Sequence, residues 1–168
     1  SFALYFTLPG ELPLLAETLR TIGVDRLHFQ HVHLQPRAIL ELPAVAGIPY
    51  DCTLHDYYAI CPQYHLVTED GRYCGEPGPA GCAACLARRP GQWGLDITDW
   101  RAAFGRLLRA ADRVIAPSED VSVRIRGYFP DVEIDVWPHP EESPPVVPQI
   151  VRVAILGNLS PEKGLHVV

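Results

Sequence analysis

The 168-residue chain has no methionine, no excess of basic residues and no apolar run near the roughly 18 residues that span a membrane. Each absence narrows the reading. A chain without Met is expected to be a piece of a longer protein. Its end at Gly164-Leu165-His166-Val167-Val168, which reads as the first turns of a helix, fits that view. The missing apolar run leaves no transmembrane helix and no signal peptide to propose, so a cytoplasmic location is the default expectation. A formal net charge of −6 argues against the basic footprint of a nucleic-acid binder. What is present, 48% hydrophobic and 20% charged residues, is the composition of an ordinary globular core with a solvated surface.

Helix-like and strand-like segments alternate along the chain. Residues 11–22 place Leu12, Leu15, Leu19 and Ile22 at three- and four-residue intervals, the spacing of one helical face. Residues 26–32 alternate like a strand. Residues 36–47 open on a Pro and close on Gly47, with Pro43 expected to kink the helix. Strand patterns recur at 50–54, 113–116 and 132–137. Between them, 98–111 carries Trp100, Phe104, Leu107 and Leu108 as one stripe, with Thr98 as the expected cap. Ser118 is the expected N-cap of a further helix whose stripe is Val121, Ile125 and Tyr128. Such alternation predicts an α/β fold, a Rossmann-like parallel sheet with helices on both faces. Polar residues at the carboxyl ends of its strands are then the candidates for function. His31, His33, His55, Asp56 and Ser118 fall there. One such residue is ordinarily a satisfied polar group, whereas several together point to a cleft.

Residues 57–97 lack periodicity and are rich in Gly and Pro, so a structureless loop of that length requires a staple. Cys61, Cys74, Cys82 and Cys85 lie within it, spaced C-x12-C-x7-C-x2-C, whereas Cys52 belongs to a strand pattern and reads as a small buried side chain. The Cys82-Ala-Ala-Cys85 pair is half of a zinc knuckle, with two thiolates expected from one tight turn. Four thiolates at about 2.3 Å from one structural zinc would supply folding energy to a segment without its own core. Two disulfides, an iron–sulfur cluster and unliganded thiols are the alternatives, with His65 as a substitute ligand. The cytoplasmic expectation weighs against disulfides.

The composition HPEESPPVVPQ over 139–149 is that of a semi-rigid linker. An apolar strand pattern follows, then Gly157-Asn158-Leu159-Ser160-Pro161-Glu162-Lys163-Gly164 and a helix start. A turn and a helix N-terminus can hold phosphate through unpaired N–H groups, although a plain tight turn accounts for the same residues. The expected organisation is a main domain over 1–140, incomplete at its N-terminus. A Pro-rich linker over 141–149 and the truncated start of a second domain over 150–168 complete it.

Taken in order, Gly47-Ile48-Pro49, His55-Asp56-Tyr57-Tyr58, Cys61-Pro62, Trp100-Arg101, the 111–118 segment ADRVIAPS and the ILGNLSPEKG segment resemble the family-4 (group 1) glycosyltransferases over roughly residues 26–168. The resemblance implies two Rossmann-like domains facing across a cleft, a nucleotide diphosphate sugar as donor and transfer with retention of configuration. It further implies a glycan or lipid-linked acceptor, with peripheral membrane association of the full enzyme. It makes Lys163, with Gly157 and Asn158, the donor-diphosphate site, although many members carry Arg where this chain has Asn158. By the same matching His55, with Asp56, faces the reacting sugar and Ser118 matches a family Ser, and the strand-end residues His31 and His33 join Ser118 as acceptor-side candidates. The family's E-x7-E motif is expected past Val168, so this length of chain is not expected to hold a complete donor site. Other readings are a non-catalytic zinc-stapled interaction module with Trp93, Tyr57, Tyr58 and Tyr64 as contact surface, and an epimerase-like nucleotide-sugar enzyme.

Overall fold

The computed structural model describes residues 5–138. Gly157, Asn158 and Lys163, the expected linker and the expected second domain lie outside these residues. The order of elements is α1 (Leu12–Thr21), β1 (Leu27–Phe29), a 3₁₀ turn (Arg37–Glu41), α2 (Leu42–Ala46), β2 (Tyr50–Thr53), α3 (Gly78–Arg88), α4 (Ile97–Ala110), β3 (Arg113–Ala116), α5 (Glu119–Tyr128) and β4 (Asp135–Val136). The four strands form one sheet in the order β1-β2-β3-β4. Every pair is parallel, with Phe29 opposite Cys52, Thr53 opposite Ile115 and Ala116 opposite Val136. The α/β, Rossmann-like expectation therefore holds, and all four carboxyl ends open on the same edge.

Alternation decides which strand residues enter the core. Tyr50, Cys52 and Leu54 of β2 and its exit, with Val114 and Ala116 of β3, pack against Trp100, Phe104, Leu107 and Leu108 of α4 and Val121 and Ile125 of α5. Burial of each large apolar side chain contributes about 1.5–3 kcal/mol. Trp100 is fully buried, and its indole N–H donates to the Tyr58 carbonyl at 2.8 Å. Burial pushes the Cys52 thiol up to about 12, the nearby Asp51 adding to it, so Cys52 is the inert apolar residue its strand pattern indicates. A second cluster joins Leu12 and Ala16 of α1 to Leu42 and Ala46 of α2.

Several boundaries differ from the sequence expectation. The α1 stripe stops early, since Ile22 is 68% exposed. The kink expected at Pro43 is a change of helix type, from the 3₁₀ turn to α2, with Pro43 in the first turn where no N–H is needed. Gly47 closes α2 at φ 66°, a left-handed conformation that favours glycine. Asp96, not Thr98, caps α4, its carboxylate accepting from the N–H groups of Thr98 and Asp99. Ser118 caps α5 as expected, accepting from Val121 N–H at 3.3 Å. The end strands are shorter than their sequence patterns.

The segment after β2 departs most. It contains α3, started by Pro79 in the first turn and sustained by Ala80, Ala83, Ala84 and Ala87. The segment also reaches the core on its own account, with Ile60 and Leu66 buried against α4's cluster. Polar ties complete the attachment. Arg101 Nε donates to the Ile60 carbonyl, and Gln63 Nε2 to the Arg89 carbonyl. The Glu76 carboxylate accepts from the hydroxyls of Tyr73 and Tyr128 and pairs with Arg124 of α5. Burial raises the Glu76 carboxyl, but the Tyr128, Tyr73 and Arg124 donors outweigh it and leave the group below the ordinary carboxylate range.

Candidate functional site

The carboxyl edge of β1 and β2 carries a pocket lined by Gln30, His31, Val32, Leu54, His55, Asp56 and Tyr58, floored by Phe104, Leu107 and Leu108 of α4. Parallel pairing places the exits of β1 and β2 side by side, so residues some 25 positions apart in sequence meet there. His31 Nδ1 accepts the His33 backbone N–H at 2.9 Å, which puts the ring proton of the neutral imidazole on Nε2. That N–H donates to Asp56 Oδ2 at 3.2 Å, and Asp56 Oδ1 accepts the Tyr58 backbone N–H at 2.8 Å. The chain His33–His31–Asp56–Tyr58 thus fixes one tautomer and occupies both nitrogens of His31. His55 stands exposed beside it, its Nε2 donating to the Gln30 carboxamide oxygen at 2.9 Å. The His31 and His55 rings lie 6.4 Å apart at an interplanar angle of 27°.

Tyr58 supports this edge from below. It is only 4% exposed, and its ring meets those of His31 at 4.8 Å and Trp100 at 4.9 Å. Burial, then the Asp56 carboxylate, push its phenol well above the usual range, so it stays protonated. Its hydroxyl is buried without a protein partner among the described residues. Trp93 packs on the same cluster, stacked with Phe104 at 5.7 Å. Tyr58 is therefore built into the core and Trp93 packs half-buried against it, so the contact surface suggested for an interaction module loses Tyr58.

A second open concavity beside the first is lined by His55, Asp56, Tyr57, Tyr64, His65, Val67, Gly71 and Val121. His55 and Asp56 border both, so the exposed His55 imidazole sits where the two meet. Tyr57 closes one side by donating its hydroxyl to Asp120 of α5 at 2.5 Å. His33 packs edge-on to Tyr58 at 5.5 Å and contacts Tyr64 at 5.3 Å. Ser118 lies at the end of β3 and lines neither pocket, its hydroxyl serving as the α5 cap. Gln30 and Tyr58 complete the site without having been among the sequence candidates. Gln30 carried no sequence signal, because the strand pattern over 26–32 enclosed it while β1 ends at Phe29, and Tyr58 read as a surface aromatic.

Cys61, Cys74, Cys82 and Cys85 line one cavity of about 320 Å³ on the other side of the segment that follows β2. All are free thiols, so no disulfide joins them. Cys82 and Cys85 are on one face of α3 rather than in a tight turn, which corrects the knuckle geometry expected for the pair. The Gln63 N–H donates to Cys61 Sγ at 3.4 Å and the Arg101 guanidinium to Cys82 Sγ at 3.6 Å. Burial pushes the Cys61 thiol up to about 11 despite the Gln63 donor, with the other three cysteines adding to the rise. The sulfurs stand around the cavity. Among the described residues, no three His, Cys, Asp or Glu side chains are gathered as a ready-made ligand set for an ion.

Among the described residues no helix is long and apolar enough to cross a membrane. No curated protein and no solved structure matches the chain. The family model described as Glycosyltransferase Family 4 matches residues 2–140, which include the whole parallel sheet, its helices and the His31–His55–Asp56 edge. On that match the chain belongs to glycosyltransferase family 4.

Proposed function

We propose that this chain forms the acceptor side of an enzyme moving a sugar from a nucleotide diphosphate sugar to a glycan or lipid-linked acceptor with retention of configuration. The observation that carries the reading is the exposed His55 imidazole, held by Gln30 where two concavities meet at the carboxyl edge. That is where ligands of parallel α/β sheets bind. In this reading His55 touches the reacting sugar as an orienting hydrogen-bond partner. Asp56 acts through others, since its oxygens face His31 and the Tyr58 N–H. His33 is a second positioning residue, and Ser118 contributes only by holding α5 in place. Lys163, with Gly157 and Asn158, is proposed to receive the donor diphosphate, the Lys163 ammonium neutralising its charge. Association of the full enzyme with a membrane surface would bring a lipid-linked acceptor to this edge.

The test is the His55→Ala variant of the full enzyme, assayed with UDP-, GDP- and ADP-sugars. Loss of a bond formed in the transition state lowers kcat by about tenfold or more, since about 1.4 kcal/mol is a factor of ten. The melting temperature should stay within a few degrees of the parent's, as expected for an exposed side chain. A fall in melting temperature matching the loss of rate would make His55 a structural residue and overturn the assignment.

A further inference from the structure

We propose that Cys61, Cys74, Cys82 and Cys85 form a closed four-thiolate site for a zinc-class divalent cation, binding the segment after β2 to itself. This inference is independent of the sugar-transfer reading. Four observations carry it. The four cysteines come from three separate stretches of chain and line one cavity, whereas the fifth, Cys52, is buried in the sheet at 3% exposure. Free thiols from distant stretches rarely surround one space unless they share a ligand or a redox partner, and none of these is disulfide-bonded. Cys82 and Cys85, three residues apart on α3, project side by side toward that space. Donors already face two of the sulfurs, the Gln63 N–H at Cys61 and the Arg101 guanidinium at Cys82. Such outer donors are what a metal-bound thiolate needs.

Charge argues in the same direction. A divalent ion with four thiolates carries a net charge of −2, which requires nearby cations. Arg101 supplies one, donating to Cys82 Sγ, whereas Arg88 at the cavity is already paired with Glu69. Thiolate ligands favour zinc-class ions over magnesium or calcium, and a set without an open position makes the site structural. On binding, four S–H bonds give their protons to the buffer and four S–metal bonds form, with no change of oxidation state. Among the described residues the sulfurs line the cavity without being gathered as a ligand set, so binding must draw them together. Buried Ile60 and Leu66 and the Glu76 contacts hold the segment without the ion, so binding should tighten this part of the fold rather than create it.

The experiment is an anaerobic titration of the reduced 168-residue protein with Co²⁺, followed by displacement with Zn²⁺. The expected result is saturation at about one Co²⁺ per chain, with intense sulfur-to-cobalt charge transfer and tetrahedral ligand-field bands, as for a four-thiolate set. Zinc should then abolish the spectrum at about equimolar addition. Cys85→Ser should lose at least tenfold in cobalt affinity, and Cys52→Ala should leave the spectrum unchanged. Because Cys85→Ser could unfold, the wild-type spectrum decides by itself. Failure to saturate, a weak octahedral spectrum from oxygen ligands at Glu69 or Asp70, or disulfides formed by the four cysteines under reducing conditions would each overturn the proposal.

Discussion

Asp56 has two carboxylate oxygens and a separate partner for each, so it cannot be replaced by its nearest isostere. In Asp56→Asn one side of the side chain becomes an NH₂ group. If its oxygen keeps the Tyr58 N–H, the amide nitrogen meets the His31 Nε2–H, donor against donor. His31 cannot escape by changing tautomer, because its Nδ1 accepts the His33 N–H. The variant should therefore turn or displace the His31 ring. Nitrogen NMR of the histidines should show the Nε2–H tautomer for His31 in the parent and a mixture in the variant. An Nδ1–H tautomer in the parent would refute the hydrogen-bond direction. The histidines and Asp56 were legible in the sequence because strand patterns end beside them. Gln30 was not, because one glutamine past a strand has no pattern, and its partner stands 25 residues away. Tyr58 was misjudged for a related reason. An aromatic beside a Cys-Pro looks like surface until α4 is packed over it.

At the scale of elements, hydrophobic period proved readable wherever a stripe faces the sheet, as in α4 with Trp100, Phe104, Leu107 and Leu108. The unreadable helix was α3. Its Ala-rich sequence makes a helix by propensity, with only Leu86 buried, so no stripe announces it. Caps are a finer case. Asp96 and Thr98 both precede the α4 stripe, and sequence alone allows either to cap. The structure decides for Asp96, whose Oδ1 accepts from Thr98 N–H at 2.7 Å and Asp99 N–H at 2.8 Å. Asp96→Ala should then cost about 1 kcal/mol, the usual value of a lost N-cap. Thr98→Ala should stay within about 0.5 kcal/mol, as for an exposed substitution without such a role. Urea denaturation of both variants measures the difference, and equal losses would contradict the assigned cap.

For the whole molecule, the tyrosines set a limit at alkaline pH. Burial pushes the Tyr50 phenol up to about 12, with Cys52 and Asp112 adding to the rise, and its hydroxyl donates to the Leu107 carbonyl at 2.6 Å. Tyr58 and Tyr128 are raised as well, burial being the first cause in both. A phenol raised on folding keeps its proton in the native state while the unfolded chain has already lost it. Its contribution is therefore complete below the ordinary tyrosine value of about 10 and is lost as pH rises toward about 12. Stability by urea denaturation should begin to fall near pH 9, where the raised Cys52 and Cys61 thiols first count, and fall more steeply beyond about pH 10 as the tyrosines join them. Tyr50→Phe should flatten part of that fall at the expense of overall stability. A stability that rises above pH 10 would refute the burial of these phenols.

The same Tyr50 also fixes where the site stands. Its side chain holds the last turn of α4 through the Leu107 carbonyl, and its own carbonyl accepts the Asp112 N–H where β3 is about to begin. One residue at the amino edge of the sheet thus pins the end of one element and the entry of the next. β2 runs from there to Thr53, and its exit carries His55, five residues on and at most about 17 Å away. β2 therefore behaves as a short rod clamped at its far end, with the imidazole just past its tip. The stiffness of the reacting edge is governed from the opposite edge, so loosening the clamp should blur the aim of His55 without touching a single group that lines the pocket mouth.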